Sequence, residues 1–500
     1  MRDGATIAAI STAVSIAGIG IVRMSGPESF FIADRVYRSK GEKKLSEQKS
    51  HTIHYGYIMD QEETVDEVLV MLMRGPRSFT GEDTVEINCH GGVYVVRKIL
   101  EILIENGARP AEPGEFTKRA FLNGRLDLSQ AEAVGDLIAA QNQYALQSSI
   151  SQLKGSIKNE INDIRNIIIY HTAFIETALD DPEHISVDGY GEELRRVVED
   201  MSTRIRRLLE SFDNGRLMKE GIRTVILGRP NAGKSSLMNV LLGEDRAIVT
   251  DIAGTTRDVL EEHLNLSGIS LNIMDTAGIR ETKDIVEKIG VDKAKEQAHQ
   301  ADLILYVIDS SKDLDENDRE ILRLIQGKKA IILLNKSDLN MKVTKEIVKQ
   351  AYFSVDEDIH ENLSVVSDMN LLKNEGNYSN LNKDNSNESE ENDIELPIIE
   401  VSARNLRGIG ELEDNLKRMF FAGNLSFNDE IYITNIRHKN ELSEALESLE
   451  RVRDSIDAGM PEDFYSIDLL DAYEKLGNIT GETMGEDLVN EIFSKFCMGK

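Results

Sequence analysis

Apolar positions along the chain follow three successive patterns. Over residues 1–118 they gather in short runs: "TIAAI" (6–10), "GIGIVRM" (18–24), "HTIHYGYIM" (51–59), "EVLVMLM" (67–73) and "TVEINCH" (84–90). Runs of this length bounded by polar and glycine-containing stretches read as strands. One helix is predicted among them at about 92–106, where Val95, Val96, Ile99, Leu100, Ile102 and Leu103 recur at helical spacing. From 127 to 180 the pattern turns helical, carried by Leu128, Ala131, Val134, Leu137 and Ile138, then Ile150, Leu153, Ile157, Ile161, Ile164 and Ile168. A further amphipathic run covers 192–212, and "DNGR" (213–216) is expected to end it, because glycine commonly stops a helix.

Residues 221–420 alternate strand and helix. "RTVILG", "ISLNIMD", "DLILYVID", "AIILLNK" and "IIEVSA" are nearly continuous apolar strands, as expected of a parallel sheet buried on both faces by helices. After 430 helical spacing returns with Leu442, Leu446, Leu449, Val452 and Ile456, then from Leu469 to Phe496. The economical architecture is an α/β domain inserted into an all-α domain. The expected boundaries are 1–120 for an N-terminal α+β domain, 121–215 and 425–500 for the two parts of the helical domain, and 216–424 for the insert. The stretch 370–395, rich in Asn, Ser and acidic residues, has no apolar period and is expected to be a disordered surface insertion.

Composition narrows the picture. The chain has 500 residues, more than one core usually serves. Its net charge of −30 argues against nucleic-acid binding through overall charge. The only cysteines are Cys89 and Cys497, which form no disulfide framework and suit a reducing compartment, so a cytoplasmic location is expected. The apolar start "ATIAAISTAVSIAGIGIV" carries Asp3 before it and glycines within it, which favours strands around a turn over a signal peptide. No stretch holds the ~20 apolar residues of a membrane span. The terminal "CMGK" lacks the aliphatic residues and permissive end of a prenylation box.

Chemistry concentrates in the insert. "GRPNAGKSS" (228–236) lies between a strand and a helix and places Gly228, Gly233, Lys234 and Ser235 in the pattern G-x-x-x-x-G-K-[ST]. Such a loop wraps phosphates with backbone N–H groups from Asn231 through Ser236, including Ala232. Its lysine reaches the β/γ oxygens and its serine takes Mg²⁺. "DTAG" (Asp275, Thr276, Ala277, Gly278), "NKSD" (Asn335, Lys336, Asp338) and "SAR" (Ser402, Ala403, Arg404) each follow a sheet strand. The Asp338 carboxylate accepts from guanine N1–H and the 2-amino group, where adenine presents an acceptor, so the nucleotide is read as GTP. The switch stretch "TDIAGTTRD" supplies Thr250, Asp251, Ile252, Ala253, Gly254, Thr255 and Thr256, with Thr256 placed for Mg²⁺. Ile279 occupies the position where a water-orienting glutamine often stands, and no arginine finger is identifiable. Such a finger is worth ~10³–10⁵ in rate. Asn231 has two readings: a side chain that packs the loop, or a ligand for a monovalent cation that adds positive charge beside the phosphates.

With these motifs "TIAAI…GIGIVRMSGP" (6–27), "FTGEDTVEINCHGG" (79–92), "AEPGEFTKRAFLNGRLDLSQAEAV" (111–134) and "FCMGK" (496–500), the chain resembles the MnmE (TrmE) family of tRNA-modifying GTPases over nearly its whole length. The resemblance implies an N-terminal folate-binding, dimerising domain, a discontinuous helical domain and an inserted Ras-like G domain. It implies potassium-dependent GTP hydrolysis, with K⁺ at Asn231, Thr250, Ile252 (backbone) and Thr255 and Mg²⁺ at Ser235 and Thr256. Glu287 would position the attacking water, although as a bare sequence feature it reads as a solvated helix residue. A tetrahydrofolate derivative (5-formyl- or methylene-tetrahydrofolate) would bind Arg23, Glu86, Arg125 and Lys500. A homodimer and a heterotetramer with the flavin-dependent MnmG would build a carboxymethylaminomethyl group on C5 of the wobble uridine of certain tRNAs. For Cys497 a role in the one-carbon step and simple packing stand level, while Cys89 reads as a packing residue. The turn at 13–18 (Ala-Val-Ser-Ile-Ala-Gly) departs from the family's Pro- and Gly-rich pattern beside Arg23. A regulatory switch GTPase that assists ribosome or RNA assembly is the competing class, since it shares the G motifs; residues 1–130 and "FCMGK" favour the modification enzyme.

Overall fold

The computed structural model describes residues 4–181, 183–184, 189–243, 262–266, 268–274, 296–354, 396–421, 431–482, 486–494, 496 and 499. They form two compact units, one of Met1–Ala140, Ala145–Phe212 and Ile431–Lys500, the other of Gln141–Tyr144 and Asp213–Glu430.

The first unit begins with a sheet of β1 (Ile7–Ile10), β2 (Gly20–Ser25), β3 (Tyr37–Arg38), β4 (Thr52–Asp60), β5 (Glu63–Met73), β6 (Thr84–Cys89) and β7 (Arg109–Pro110). Its strand order is β3-β4-β5-β6-β2-β1-β7. In the antiparallel β2–β6 ladder Arg23 stands opposite Glu86, so their side chains leave the sheet on the same face. Along β5, Val68, Val70 and Leu72 are buried, and they share one core with Ile99 and Leu103 of α2 (Val93–Glu105) and with Phe30 and Ile32 of α1 (Ser29–Val36). Cys89 is buried in that core, and its Sγ–H donates to Gly20 O at 3.3 Å, consistent with packing. The helices α1 and α3 (Glu115–Leu122) and the short strands β3 and β7 were not expected from periodicity, being too brief to show one, so the single helix expected in this stretch is corrected.

Four helices follow: α4 (Leu128–Ala139), α5 (Gln143–Leu153), α6 (Ser156–Asp180) and α7 (Tyr190–Glu210). A capping box starts α4, with Asp127 accepting from Gln130 N and the Gln130 side chain reaching back to Asp127 N. The expected stop at "DNGR" is corrected. After Ser211 the chain enters α8 (Phe212–Glu220), with Gly215 in its interior, and the stop falls at Gly221, whose φ is +83°. A glycine inside a helix costs about 1 kcal/mol, which burial of Leu217 and Met218 offsets.

The second unit holds β8 (Ile222–Leu227), α9 (Lys234–Leu241), β9 (Glu262–Leu266), β10 (Ile269–Ile273), β11 (Leu303–Asp309), α10 (Glu316–Leu324), β12 (Ala330–Asn335), β13 (Ile398–Glu400) and α11 (Ile409–Phe421). The sheet order is β13-β12-β11-β8-β10-β9. Every residue of β11 and β12 is buried, as the apolar runs predict. The sheet is parallel except for β9, an antiparallel edge strand on β10 that the reading missed. The insertion at 370–395 lies outside the described residues.

Back in the first unit, α12 (Ile436–Asp457), α13 (Glu462–Thr480) and α14 (Glu486–Ser494) complete the fold. Leu442, Leu449 and Val452 of α12 and Leu469 and Leu476 of α13 share a single core with Ile161 and Ile164 of α6 and Val198 and Met201 of α7. Helices from either side of the inserted unit therefore fold together, as the discontinuous pattern implied. Glu132 of α4 joins them electrostatically: Arg437 Nε and Nη2 donate to its two oxygens at 3.0 and 2.8 Å, and His438 Nε2 lies 2.8 Å away. Burial acts to raise the Glu132 pKa, but His438 and Arg437 outweigh it and hold it at about 2. A depressed folded-state pKa gives stability that is complete above the ordinary carboxylate range and is lost as pH falls toward 2. Glu132→Ala is expected to cost about 3–5 kcal/mol, because it takes the carboxylate from the buried His438 and the largely buried Arg437. Urea unfolding at pH 7 and pH 3 checks this, the difference between variant and parent shrinking at the lower pH.

Candidate functional site: the nucleotide loop and an arginine-lined N-terminal site

The loop after β8 takes its shape from left-handed backbone at Asn231 (φ +63°) and Gly233 (φ +98°), and Gly233 caps α9. A Cβ on Gly233 would collide with Asn335 Nδ2, and one on Gly228 would collide with Val307 O. Both glycines are therefore fixed by close approach as well as by φ. The loop's N–H groups end at the first turn of α9, the arrangement that favours anions.

The NKSD motif bonds directly to this loop, and the SAR motif bonds to NKSD. Asn335 Nδ2 donates to Ala232 O at 2.9 Å, while its Oδ1 is buried with no hydrogen-bond partner among the described residues. Lys336, in the left-handed region at φ +63°, donates from Nζ to Asn231 O at 2.9 Å and pairs with Asp309 Oδ2 at 2.7 Å. Burial acts to raise the Asp309 pKa, but Lys336 and Ser311 overcome it and the carboxyl sits below its usual range. Ser402 Oγ donates to Asp338 Oδ1 at 2.8 Å and so fixes the direction of that carboxylate. Ala403 and Arg404 follow in the same loop, with Arg404 exposed.

Lys234 Nζ donates to Gly228 O at 2.7 Å and to Arg229 O at 2.9 Å, and burial pushes its pKa down. An ammonium held by two carbonyls and little solvent gains strongly from a phosphate oxygen. Ser235 and Ser236 are exposed on the first turn of α9, where a serine hydroxyl suits Mg²⁺. Sequence reasoning missed two residues here. Asp309 ends the wholly buried β11, and Arg229 pairs with Asp315 at 2.7 Å and Asp318 at 3.1 Å, bracing the loop against the start of α10. Thr250, Asp251, Ile252, Ala253, Gly254, Thr255, Thr256, Asp275, Thr276, Ala277, Gly278 and Glu287 lie outside the described residues.

A second constellation sits in the first unit. Arg23 Nε donates to Glu86 Oε1 at 2.7 Å, with their side chains 17% and 15% exposed. Arg125 lies close by through Phe79, so the structure brings together three residues distant in sequence. Cys497 and Lys500 lie outside the described residues. Their described neighbours reach this domain: Ser11 Oγ donates to Gly499 O at 3.1 Å, and a Cβ on Gly114 would lie 2.9 Å from Phe496 Cβ. Lys118 Nζ donates to Asn490 Oδ1 of α14. No described group of His, Cys, Asp and Glu could hold a metal ion, and no described helix is long and apolar enough to cross a membrane.

A G-x-x-x-x-G-K-[ST] loop tied to NKSD and SAR motifs, carried by a parallel sheet inserted among helices, defines a P-loop GTPase. The comparisons make this specific. Residues 6–125 match the family model described as GTP-binding protein TrmE N-terminus, and residues 128–497 match the MnmE helical domain. Curated relatives named tRNA modification GTPase MnmE include those of Lachnoclostridium phytofermentans (54% identical over 496 residues), Acetivibrio thermocellus (46% over 498) and Clostridioides difficile (43% over 495). Each alignment covers 99% of this chain and 99% of the relative. The chain belongs to the MnmE family of tRNA modification GTPases.

Proposed function

We propose that this protein hydrolyses GTP to drive tRNA modification. With the flavin-dependent MnmG, in a heterotetramer built on its own homodimer, it takes part in adding a carboxymethylaminomethyl group to C5 of the wobble uridine (position 34). The observation that carries the reading is the chain of bonds from the SAR motif through NKSD to the phosphate loop: Ser402 to Asp338, Asn335 to Ala232 and Lys336 to Asn231.

Each described residue has a task in that reading. Lys234 exchanges the Gly228 and Arg229 carbonyls for phosphate oxygens. Asp338, held by Ser402, accepts from the guanine edge, and the buried Asn335 amide keeps that motif fixed to the phosphate loop. Ser235, with Thr256, would hold Mg²⁺. Asn231, with Thr250, Ile252 and Thr255, would hold K⁺, and such an ion supplies positive charge where an arginine finger is missing. The left-handed backbone of Asn231 supports that role by fixing its place in the loop. Glu287 would orient water.

In the N-terminal domain, Arg23, Glu86, Arg125 and Lys500 would bind the tetrahydrofolate derivative (5-formyl- or methylene-tetrahydrofolate) that supplies the one-carbon unit. The Arg23–Glu86 pair supports this by offering an acceptor and a cation together. Exposed Ile53, Tyr55 and Leu69 on neighbouring β4 and β5 support dimerisation through the sheet, since contiguous apolar surface marks an interface. The domain limits and the cytoplasmic location expected from the sequence belong to the same reading.

The potassium reading is checked by hydrolysis in matched salts. GTP turnover in KCl is expected to exceed that in NaCl at least tenfold, a discount on the ~10³-fold a finger can supply. Equal turnover in the two salts contradicts it.

A further inference from the structure

Two arginines that arrive from different parts of the chain meet on one aromatic ring. Arg23 stands on β2 and Arg125 follows α3, and their guanidinium carbons lie 5.9 and 5.1 Å from the centre of the Phe79 ring. Arg125 Nη1 also donates to the Phe79 carbonyl at 2.8 Å. Phe79 is only half-buried, packed at the margin of a small cluster of Ile7, Ala9, Ala111 and Phe116.

The loop that carries Phe79 is itself anchored. Asn123 Nδ2 donates to Thr80 O at 2.7 Å, Arg119 Nη1 pairs with Glu82 Oε2 at 2.9 Å, and Ser25 Oγ donates to that same oxygen at 2.8 Å. Gly81 turns the loop at φ +80°, and a Cβ there would lie 3.2 Å from Asn123 Cβ. Loop and ring are thus held from the sheet and from the end of α3.

The charge count around the ring is uneven. Glu86 neutralises Arg23, whereas among the described residues no carboxylate is paired with Arg125. Two guanidiniums gathered on one ring repel each other, and the surplus positive charge suits an anion. A guanidinium laid on a ring face keeps its N–H edge free for a carboxylate. Holding such long side chains beforehand spares the ordering cost that binding otherwise incurs.

We propose that Phe79 is a positioning residue: its ring and carbonyl hold Arg23 and Arg125 in one arrangement that receives the carboxylates of an anionic ligand. This rests on the folate reading above, in which the ligand is the tetrahydrofolate derivative and the carboxylates are those of its glutamate tail.

The test titrates 5-formyl-tetrahydrofolate, and a counterpart lacking the glutamate, into full-length protein by calorimetry. Phe79→Leu is expected to weaken the glutamate-bearing ligand about tenfold and the glutamate-free one less than threefold, with GTP hydrolysis unchanged. Phe79→Tyr, which keeps the ring, is expected to stay within threefold of the parent for both ligands. Parent-like binding by Phe79→Leu overturns the positioning role and leaves the folate reading standing. So does an equal loss for both ligands, which marks a packing residue. Failure of the unmodified protein to bind 5-formyl-tetrahydrofolate overturns the folate reading and this inference together.

Discussion

Lys234→Ala is expected to lower GTP turnover by about 10²–10³-fold, the scale seen when a charge-stabilising donor is removed from a reacting centre. The native ammonium is half-buried, depressed in pKa and held among the described residues by loop carbonyls, so a developing charge on the β/γ oxygens is expected to draw a strong effect. Removing it also releases the Gly228 and Arg229 carbonyls to water, which they can use, and the fold should survive. Single-turnover hydrolysis with a parallel thermal melt separates the two: a large rate loss with an unchanged melting temperature is the expected pair of results. Full turnover in the variant would mean that another cation occupies the phosphate site.

Asp338→Asn is expected to weaken GTP by roughly 10²–10⁴-fold, since two hydrogen bonds to a carboxylate, at about 1.5–3 kcal/mol each, are lost or reversed. The amide keeps an oxygen to accept from Ser402 Oγ, so the side chain should hold its place. It now turns an N–H₂ toward the base, which suits the 2-oxo group of xanthine. Competition between GTP and xanthosine triphosphate for the variant should therefore invert in favour of the latter. Retained guanine preference would place the base elsewhere.

The legible parts of this molecule were those dictated by neighbours in sequence. Gly228 and Gly233 were legible from their spacing alone, and both take backbone conformations that few residues adopt. The strands around β11 and β12 were read correctly because a sheet buried on both faces leaves no polar alternation. What escaped was set by distant partners. Gly215 sits inside α8 because Leu217 and Met218 find burial there, which no local rule reports. Phe79 looks like any apolar residue until Arg23 and Arg125 are found on its ring. Asp309 reaches the nucleotide loop through Lys336, and the part Arg229 plays in bracing that loop depends on the acidic start of α10. The residues proposed for folate on family likeness fall between these cases. Arg23, Glu86 and Arg125 lie near one another in the structure, yet nothing in their spacing announces it.

The central claim is that phosphate chemistry at Lys234 serves a nucleoside change made on tRNA. The most direct measurement is mass analysis of wobble uridine in tRNA from cells lacking this gene product, then from the same cells supplied with the parent protein or with Lys234→Ala. Loss of carboxymethylaminomethyl-uridine, restored by the parent and not by the variant, is the predicted result. An unaltered nucleoside profile in the deficient cells, or full restoration by the variant, would contradict it.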